Sequence, residues 1–490
     1  MKRRMTIAVL ALTLASGGLA ASAAAQDVAP DISKVERKNR APVSKEVLRV
    51  NLPKATEATL SNGLTVLIME NRRLPLVSLQ YNISGAGPIF EPSQVPGVAS
   101  ITAQMLREGT KSKTSIQIAE EIARLGASIS ASSGFGSSAT VVSASGLSDN
   151  FEEWFALAND LLLNPSFPAD DLNRLKQRLK TQLRQQRANP SFLSSETFNR
   201  AVYGSHPASV VAATNASIDA ITPEMLANWH RDRYAPQNAI LGITGDVRAS
   251  ELAPKLEKWL AAWKKTDLKE VLPPNPKPVA SKRVLLVDRP GSVQTSVMLG
   301  NISIDRRDPD YIPLTIANHI LGGGAAARLF LNLREEKGYS YGVYSGVTAL
   351  KYPGPWRAYG DVRTEVTEGA MTEFFREFQK IRDERAPQNE LDEAKRSLVA
   401  SFALSLESPD ELLGYAIVRK IYGFPADYWD TYPARIMATT AEDIQRITRK
   451  YINPENLQVV AVGDVSKIRP IMEKYGPVEV YDTEGKKLGN

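Results

Sequence analysis

The chain carries one long pattern twice, and this repetition restricts the fold more than any other feature of its 490 residues. Residues 221–247 align without gaps on residues 439–465, an offset of 218, with Thr222 on Thr440, Arg231 on Arg449, Pro236 on Pro454 and Gly-Asp-Val closing both segments. At the same offset Val66–Glu70 falls on Val284–Asp288, and with one residue more Phe167–Gly204 falls on Ala386–Gly423. Self-similarity on this scale means one supersecondary unit made twice. Each copy reads as a strand pair, a helix, more strands, a long helix (170–187; 389–406), a second helix ending at Tyr-Gly, a capped helix and a final strand. The expected fold class is α+β: two homologous α/β sandwich domains, each an antiparallel-rich sheet with packed helices, joined by a proline-rich linker and clam-like.

The expected domains span 46–265 and 282–490. Between them, 266–281 holds Pro273, Pro274, Pro276 and Pro278 among charged residues, the composition of an extended linker. Residues 26–45 are polar and read as an N-terminal arm. Two equal domains on a strap place any functional site in the cleft between them.

Residues 1–25 read as a secretory signal peptide. Lys2, Arg3 and Arg4 form the basic start, an apolar run follows from Met5 to about Leu14, and Ala23, Ala24 and Ala25 precede Gln26 as a small-residue cleavage site. The expected location is the periplasm, with no membrane insertion after signal cleavage. The chain has no cysteine, which excludes disulfides, thiolate metal sites and a cysteine nucleophile. Its formal charge of +6 falls to about +3 without the leader cations, too small to point to nucleic acid.

Three local stretches carry more specific information. They are Pro96–Thr110 on the first helix, the Asn62-Gly-Leu-Thr-Val-Leu-Ile strand entry, and Leu125-Gly-Ala-Ser-Ile. Together they resemble the pitrilysin, insulinase and mitochondrial processing peptidase family of zinc peptidases, over nearly all of residues 50–470. The resemblance implies His-x-x-Glu-His on the first helix, two metal-ligating His at i and i+4 around a Glu that activates water. In this chain those positions hold Ser100, Ala103 and Gln104. Serine and glutamine are poor zinc ligands and alanine cannot take a proton. The family's further ligand, a Glu about 75 residues on, also has no counterpart, since no acid stands between Asp171 and Glu196. His206, His230 and His319 do not assemble a substitute, because none lies at i, i+4 from another His or from an acid on an evident helix face. No metal is expected in this chain.

The second half keeps what the first has lost. Gly322, Gly323 and Gly324 precede Arg328-Leu-Phe, and Arg334 is followed seven residues later by Tyr341, with Tyr339 between. The glycines read as a helix start and a flexible loop touching substrate; a phosphate cradle is disfavoured because no Gly-Lys-Ser/Thr follows. A helix is expected over 325–337, ending at Gly338, with Tyr339 and Tyr341 on one face of the following strand. Arg offers a fixed fork of donors and Tyr a hydroxyl, so the pair suits a peptide carbonyl and the negative charge that develops on its oxygen. The family pattern implies these roles for Arg334 and a Tyr; either Tyr339 or Tyr341 could be the donor, and the spacing favours Tyr341. The low-charge stretch 127–146 reads as two strands; the family's corresponding edge strand pairs with peptide.

The resemblance thus implies a non-zinc-binding subunit of an exported heteromeric zinc endopeptidase. Its expected partner is a homologous chain that carries His-x-x-Glu-His and holds the zinc, and its substrate is peptide. The alternative is a catalytically inert scaffold like the core subunits of respiratory complexes. A self-sufficient peptidase would require bound zinc in this chain.

Overall fold

The computed structural model describes residues 48–489, so the expected signal peptide and the N-terminal arm lie outside the described residues. Twelve strands form two six-stranded sheets. The first contains β1 (Thr56–Thr59), β2 (Thr65–Glu70), β3 (Leu76–Ser84), β4 (Ser128–Ser132), β5 (Ala139–Leu147) and β6 (Ala239–Gly245), in the order β1-β2-β6-β3-β5-β4. The second contains β7 (Arg283–Asp288), β8 (Gln294–Ile302), β9 (Ser340–Val347), β10 (Pro355–Arg363), β11 (Gln458–Gly463) and β12 (Val478–Tyr481), in the order β12-β7-β11-β8-β10-β9.

Five strands of each sheet correspond. β2 runs parallel to β6 as β7 does to β11, and the rest of each five-strand set is antiparallel. The sixth strand differs, because β1 joins as a hairpin with β2 whereas β12 arrives from the C-terminus and pairs parallel to β7. The two-domain α+β architecture expected from the repeat is the one observed.

One face of each sheet is covered by its own helices. Strand alternation supplies the apolar rows, Val66, Ile68, Val77, Leu79 and Tyr81 in the first sheet and Val284, Leu286, Val297 and Leu299 in the second, all buried. Trp154 and Phe155 pack on the first row; Phe374 and Phe378 pack on the second with Trp356.

The opposite faces are covered by exchange between the halves. The Pro190–Tyr203 helix of the first half lays Phe198, Val202 and Tyr203 on Leu285, Val287, Met298, Val460 and Val462 of the second sheet. The Pro409–Tyr422 helix of the second half lays Leu413 and Ile417 on Leu67 and Ile240 of the first. Glycine permits both approaches: a Cβ at Gly242 would sit 2.8 Å from Ile417 Cδ1, and one at Gly300 would sit 2.9 Å from the Phe198 ring. The cleft expected between the domains is therefore filled across much of its extent, because each sheet has an apolar second face that must leave water. Polar contacts add to this closure. Tyr352 Oη donates to Gly136 O (2.5 Å), and Lys351 Nζ reaches Glu270 (2.7 Å) and Ser84 Oγ (3.2 Å).

Candidate functional site

The helix aligned with the zinc helix runs Val98–Met105. Its start is unusual, since Gly97 has φ 105° and the exposed helix N–H groups are satisfied by a distant carboxylate. Gly97 N–H donates to Glu91 Oε2 (2.8 Å) and Ala99 N–H to Glu91 Oε1 (2.6 Å). Burial pushes the Glu91 carboxyl up to about 7, and the backbone donors of Gly97, Ala99 and Ser100 pull the other way. Further along, Ala103 is fully buried and Gln104 Nε2 donates to Ser100 O and Oγ, both at 3.4 Å. Ser100, Ala103 and Gln104 offer no imidazole or carboxylate, so they do not fit a zinc ion. Among the described residues no three His, Cys, Asp or Glu stand together as a metal site.

The three histidines are dispersed. His206 is buried between Tyr203 (5.6 Å between ring centres) and Tyr352 (4.8 Å), and its Nδ1 accepts from Ala208 N–H. His230 Nε2 lies 2.7 Å from Leu162 O, and burial pushes its pKa down to about 4. His319 sits in the last turn of the Tyr311–Gly322 helix, its pKa lowered by burial against the opposing pull of Glu393.

The glycine run differs from its expected role. It closes the Tyr311–Gly322 helix, with Gly323 as C-cap, and the next helical turn starts only at Arg328. The carbonyl end of a helix is the negative end of its dipole, so this geometry opposes an anion cradle. Gly322 is buried where β9 passes, and a Cβ there would lie 2.5 Å from Ser345 N. At Gly323 it would lie 2.6 Å from His319 Cα, and at Gly324 it would meet nothing.

The expected helix over 325–337 is also shorter and wider. Arg328–Phe330 forms one α-turn, and Leu331–Glu336 continues as π-helix, with Lys337 N–H donating to Asn332 O (2.9 Å). The Asn332 side chain accounts for the wide turn. Buried beneath it, Nδ2 donates to Glu373 Oε2 and Glu377 Oε1, both at 2.8 Å and both on the Thr367–Asp383 helix. Arg376 and Lys380 pair with these two glutamates from outside. Gly338 (φ 63°) then ends the segment, and Tyr339 N–H returns to Leu333 O (2.8 Å).

Arg334 projects from the π-turn, its side chain about half exposed. It lies 3.2 Å from Glu335 Oε1, with its guanidinium 4.7 Å from the Phe330 ring centre. Tyr341 is 86% exposed, the most exposed large apolar or aromatic side chain among the described residues. Tyr339 and Tyr341 do not share a surface. Between the pairs Gly360↔Val343 and Val362↔Ser340, β9 sets Tyr341 and Gly342 against Asp361 alone, a bulge that breaks the alternation. Ser340 Oγ holds it, donating to Asp361 O (2.6 Å) and accepting from Gly342 N–H (3.1 Å). Tyr339 instead packs partly buried beside Gly369. Arg334 and Tyr341 share no hydrogen bond; both point outward from one compact helix-turn-strand unit.

Sequence reasoning missed the Asn332, Glu373 and Glu377 cluster. Its signals were a polar residue inside an apolar Leu-Asn-Leu stripe and two acids at i, i+4 within a Phe-rich helix. Glu91 left no sequence signal, since its capping partners are set by the loop.

Chain comparisons agree with this duplicated peptidase-type architecture. Residues 76–210 match the family described as insulinase (peptidase family M16), and residues 220–398 match the one described as peptidase M16 inactive domain. A crystal structure of a peptidase M16 inactive domain from Pseudomonas fluorescens is 30% identical, with a TM-score of 0.78, over 84% of this chain and 97% of that one. A protease from Helicobacter pylori shares the fold at 20% identity, with a TM-score of 0.77, over 84% of this chain and all of that one. An uncharacterized zinc protease of Bacillus subtilis is 22% identical over 71% of this chain and 84% of its own length. The chain belongs to peptidase family M16.

Proposed function

We propose that this chain is the non-zinc-binding subunit of an exported, heteromeric zinc endopeptidase, working in the periplasm with a homologous chain that carries His-x-x-Glu-His. One observation carries the reading: Arg334 and Tyr341 stand exposed on a tightly packed segment, while Ser100, Ala103 and Gln104 cannot supply a metal. The metal chemistry then belongs to the partner. Arg334 donates to a carbonyl of the bound peptide, and Tyr341 donates to the oxygen on which negative charge grows as the bond is attacked. The filled space between the halves supports a chamber formed between two chains rather than within one.

The test mixes the purified chain with the homologous His-x-x-Glu-His chain. Peptidase activity requires both, and Arg334→Ala lowers turnover about 100-fold while the two chains still co-elute, the scale lost with one preorganised donor. If Arg334→Ala and Tyr341→Phe leave turnover intact while omission of the chain abolishes it, the chain is a scaffold.

A further inference from the structure

Arg357 is a cation with no counter-charge among the described residues. It lies in the middle of β10, half-buried, on the face that its own helices do not cover, since Trp356 and Ala358 on either side point into the core. Among the described residues its guanidinium makes no hydrogen bond and no ion pair; it lies 5.8 Å from the Tyr359 ring, and its charge also reaches the buried Tyr203 hydroxyl. Arg187 is matched with Glu196 (2.7 Å), Arg328 with Glu390 (2.7 Å) and Arg306 with Tyr428 Oη (2.9 Å), whereas Arg233 rests on the Phe90 and Trp229 rings and, like Arg289 and Arg382, shares with Arg357 the lack of a side-chain hydrogen bond or ion pair among the described residues. An unmatched guanidinium with five donors on a sheet face is a place for an anion.

The surroundings leave room for one. Both cross-strand neighbours of Arg357 are glycines: on the β8 side Gly300 is covered by the Phe198 ring, 2.9 Å from where its Cβ would sit, whereas a Cβ at Gly346 on β9 would meet nothing within 4 Å, so the room lies on the β9 side. Along the same strands runs a line of rings. Tyr359 faces Tyr344 (6.3 Å), Tyr344 faces Phe330 (5.7 Å), and the Arg334 guanidinium lies over Phe330 (4.7 Å). The line thus connects Arg357 to the Arg334 segment. Asp361, exposed on the same strand, forms no ion pair with either arginine.

We propose that Arg357, with Tyr359 and Tyr344, is a specificity subsite for an extended peptide, taking an acidic side chain on the guanidinium and an aromatic one against the rings. Charge complementarity selects the occupant: the fork of donors matches a carboxylate in bidentate geometry, and the ring faces accept an aromatic neighbour. The subsite rests on the reading that this chain handles peptide, but it does not depend on a partner or on Arg334.

The test measures fluorescence anisotropy of three labelled unstructured peptides binding the full chain alone, identical except for Glu, Gln or Lys next to a Phe. The Glu peptide binds about tenfold more tightly than the Gln peptide, the scale of one charge-assisted hydrogen-bonded pair, and the Lys peptide most weakly. Arg357→Gln removes the discrimination, Arg357→Glu reverses it in favour of Lys, and Tyr359→Ala weakens all three. Thermal melts of each variant show whether it is folded; if Arg357→Gln is not, Arg357→Lys keeps the charge, loses the fork and gives an intermediate preference. Equal binding of the three peptides, or discrimination that survives in folded Arg357→Gln, overturns the proposal. Acid selectivity with no peptidase activity beside the partner would instead sustain the subsite and remove the proposed function.

Discussion

The two sheets share five strands in one order, yet their exchanged faces are covered to different extents. On the second sheet the Pro190–Tyr203 helix builds a broad core with strands β7, β8 and β11; on the first, the apolar side chains of the Pro409–Tyr422 helix pack on β2 and β6, and Arg419 and Lys420 pair with Glu57 of β1. The uncovered part of the first sheet carries Ser78, Gln80, Ser128, Ser130, Ser143 and Ser145, which line a groove of about 290 Å³ beside Asp410 and Gly414. On the second sheet the remaining open strip carries Arg357, Tyr359 and Tyr344. Duplication has kept the framework, and divergence has worked on side chains that the framework does not need for folding.

The largest expected effect tests the asymmetry of the exchange. Phe198 is fully buried between the halves, so Phe198→Ala should cost about 3–5 kcal/mol in urea unfolding. Leu413→Ala, in the smaller core, should fall near the lower end of about 2–5 kcal/mol. Equal losses would mean that the two exchanged helices contribute alike.

The first half should also set opposing pH responses. His230 has its folded pKa near 4, below its ordinary value of 6.5, so the unfolded chain binds more protons in that window. Stability is therefore lost as pH falls from 6.5 towards 4, and His230→Gln should flatten that slope in urea midpoints taken across the range. Glu91 works in the other direction, its burial opposed in part by backbone donors. Its folded pKa near 7 exceeds the ordinary 4.5, so its contribution is full below 4.5 and fades as pH rises through 7. Glu91→Gln should remove that decline; a Gln variant with the wild-type slope would assign it to another group.

Much of the fold was legible because the evidence for it is local. Thr222 and Thr440 cap their helices, Gly204 and Gly423 end theirs, and alternating apolar residues mark β2 and β7. The candidate site was legible only as residue types. The reading of Gly322 as a helix start failed because the preceding helix runs through it, held against Ser345 of β9. Tyr339 and Tyr341 differ in exposure because Tyr339 precedes β9 and packs beside Gly369 of the Thr367–Asp383 helix, while Tyr341 stands at the bulge opposite Asp361.

The sequence by itself determined the duplication, the α+β class, the residue types Ser100, Ala103 and Gln104 on the first helix, and the presence of Arg334 and Tyr341. These are matters of identity and spacing along one chain. Tertiary structure alone decided the exchange of helices between halves, the π-turn fixed by Asn332 on Glu373 and Glu377, and the lack of a counter-charge for Arg357 among the described residues. The reason is physical: each depends on which distant groups meet when apolar faces leave water, and a side chain's counter-charge is settled only once its neighbours are in place.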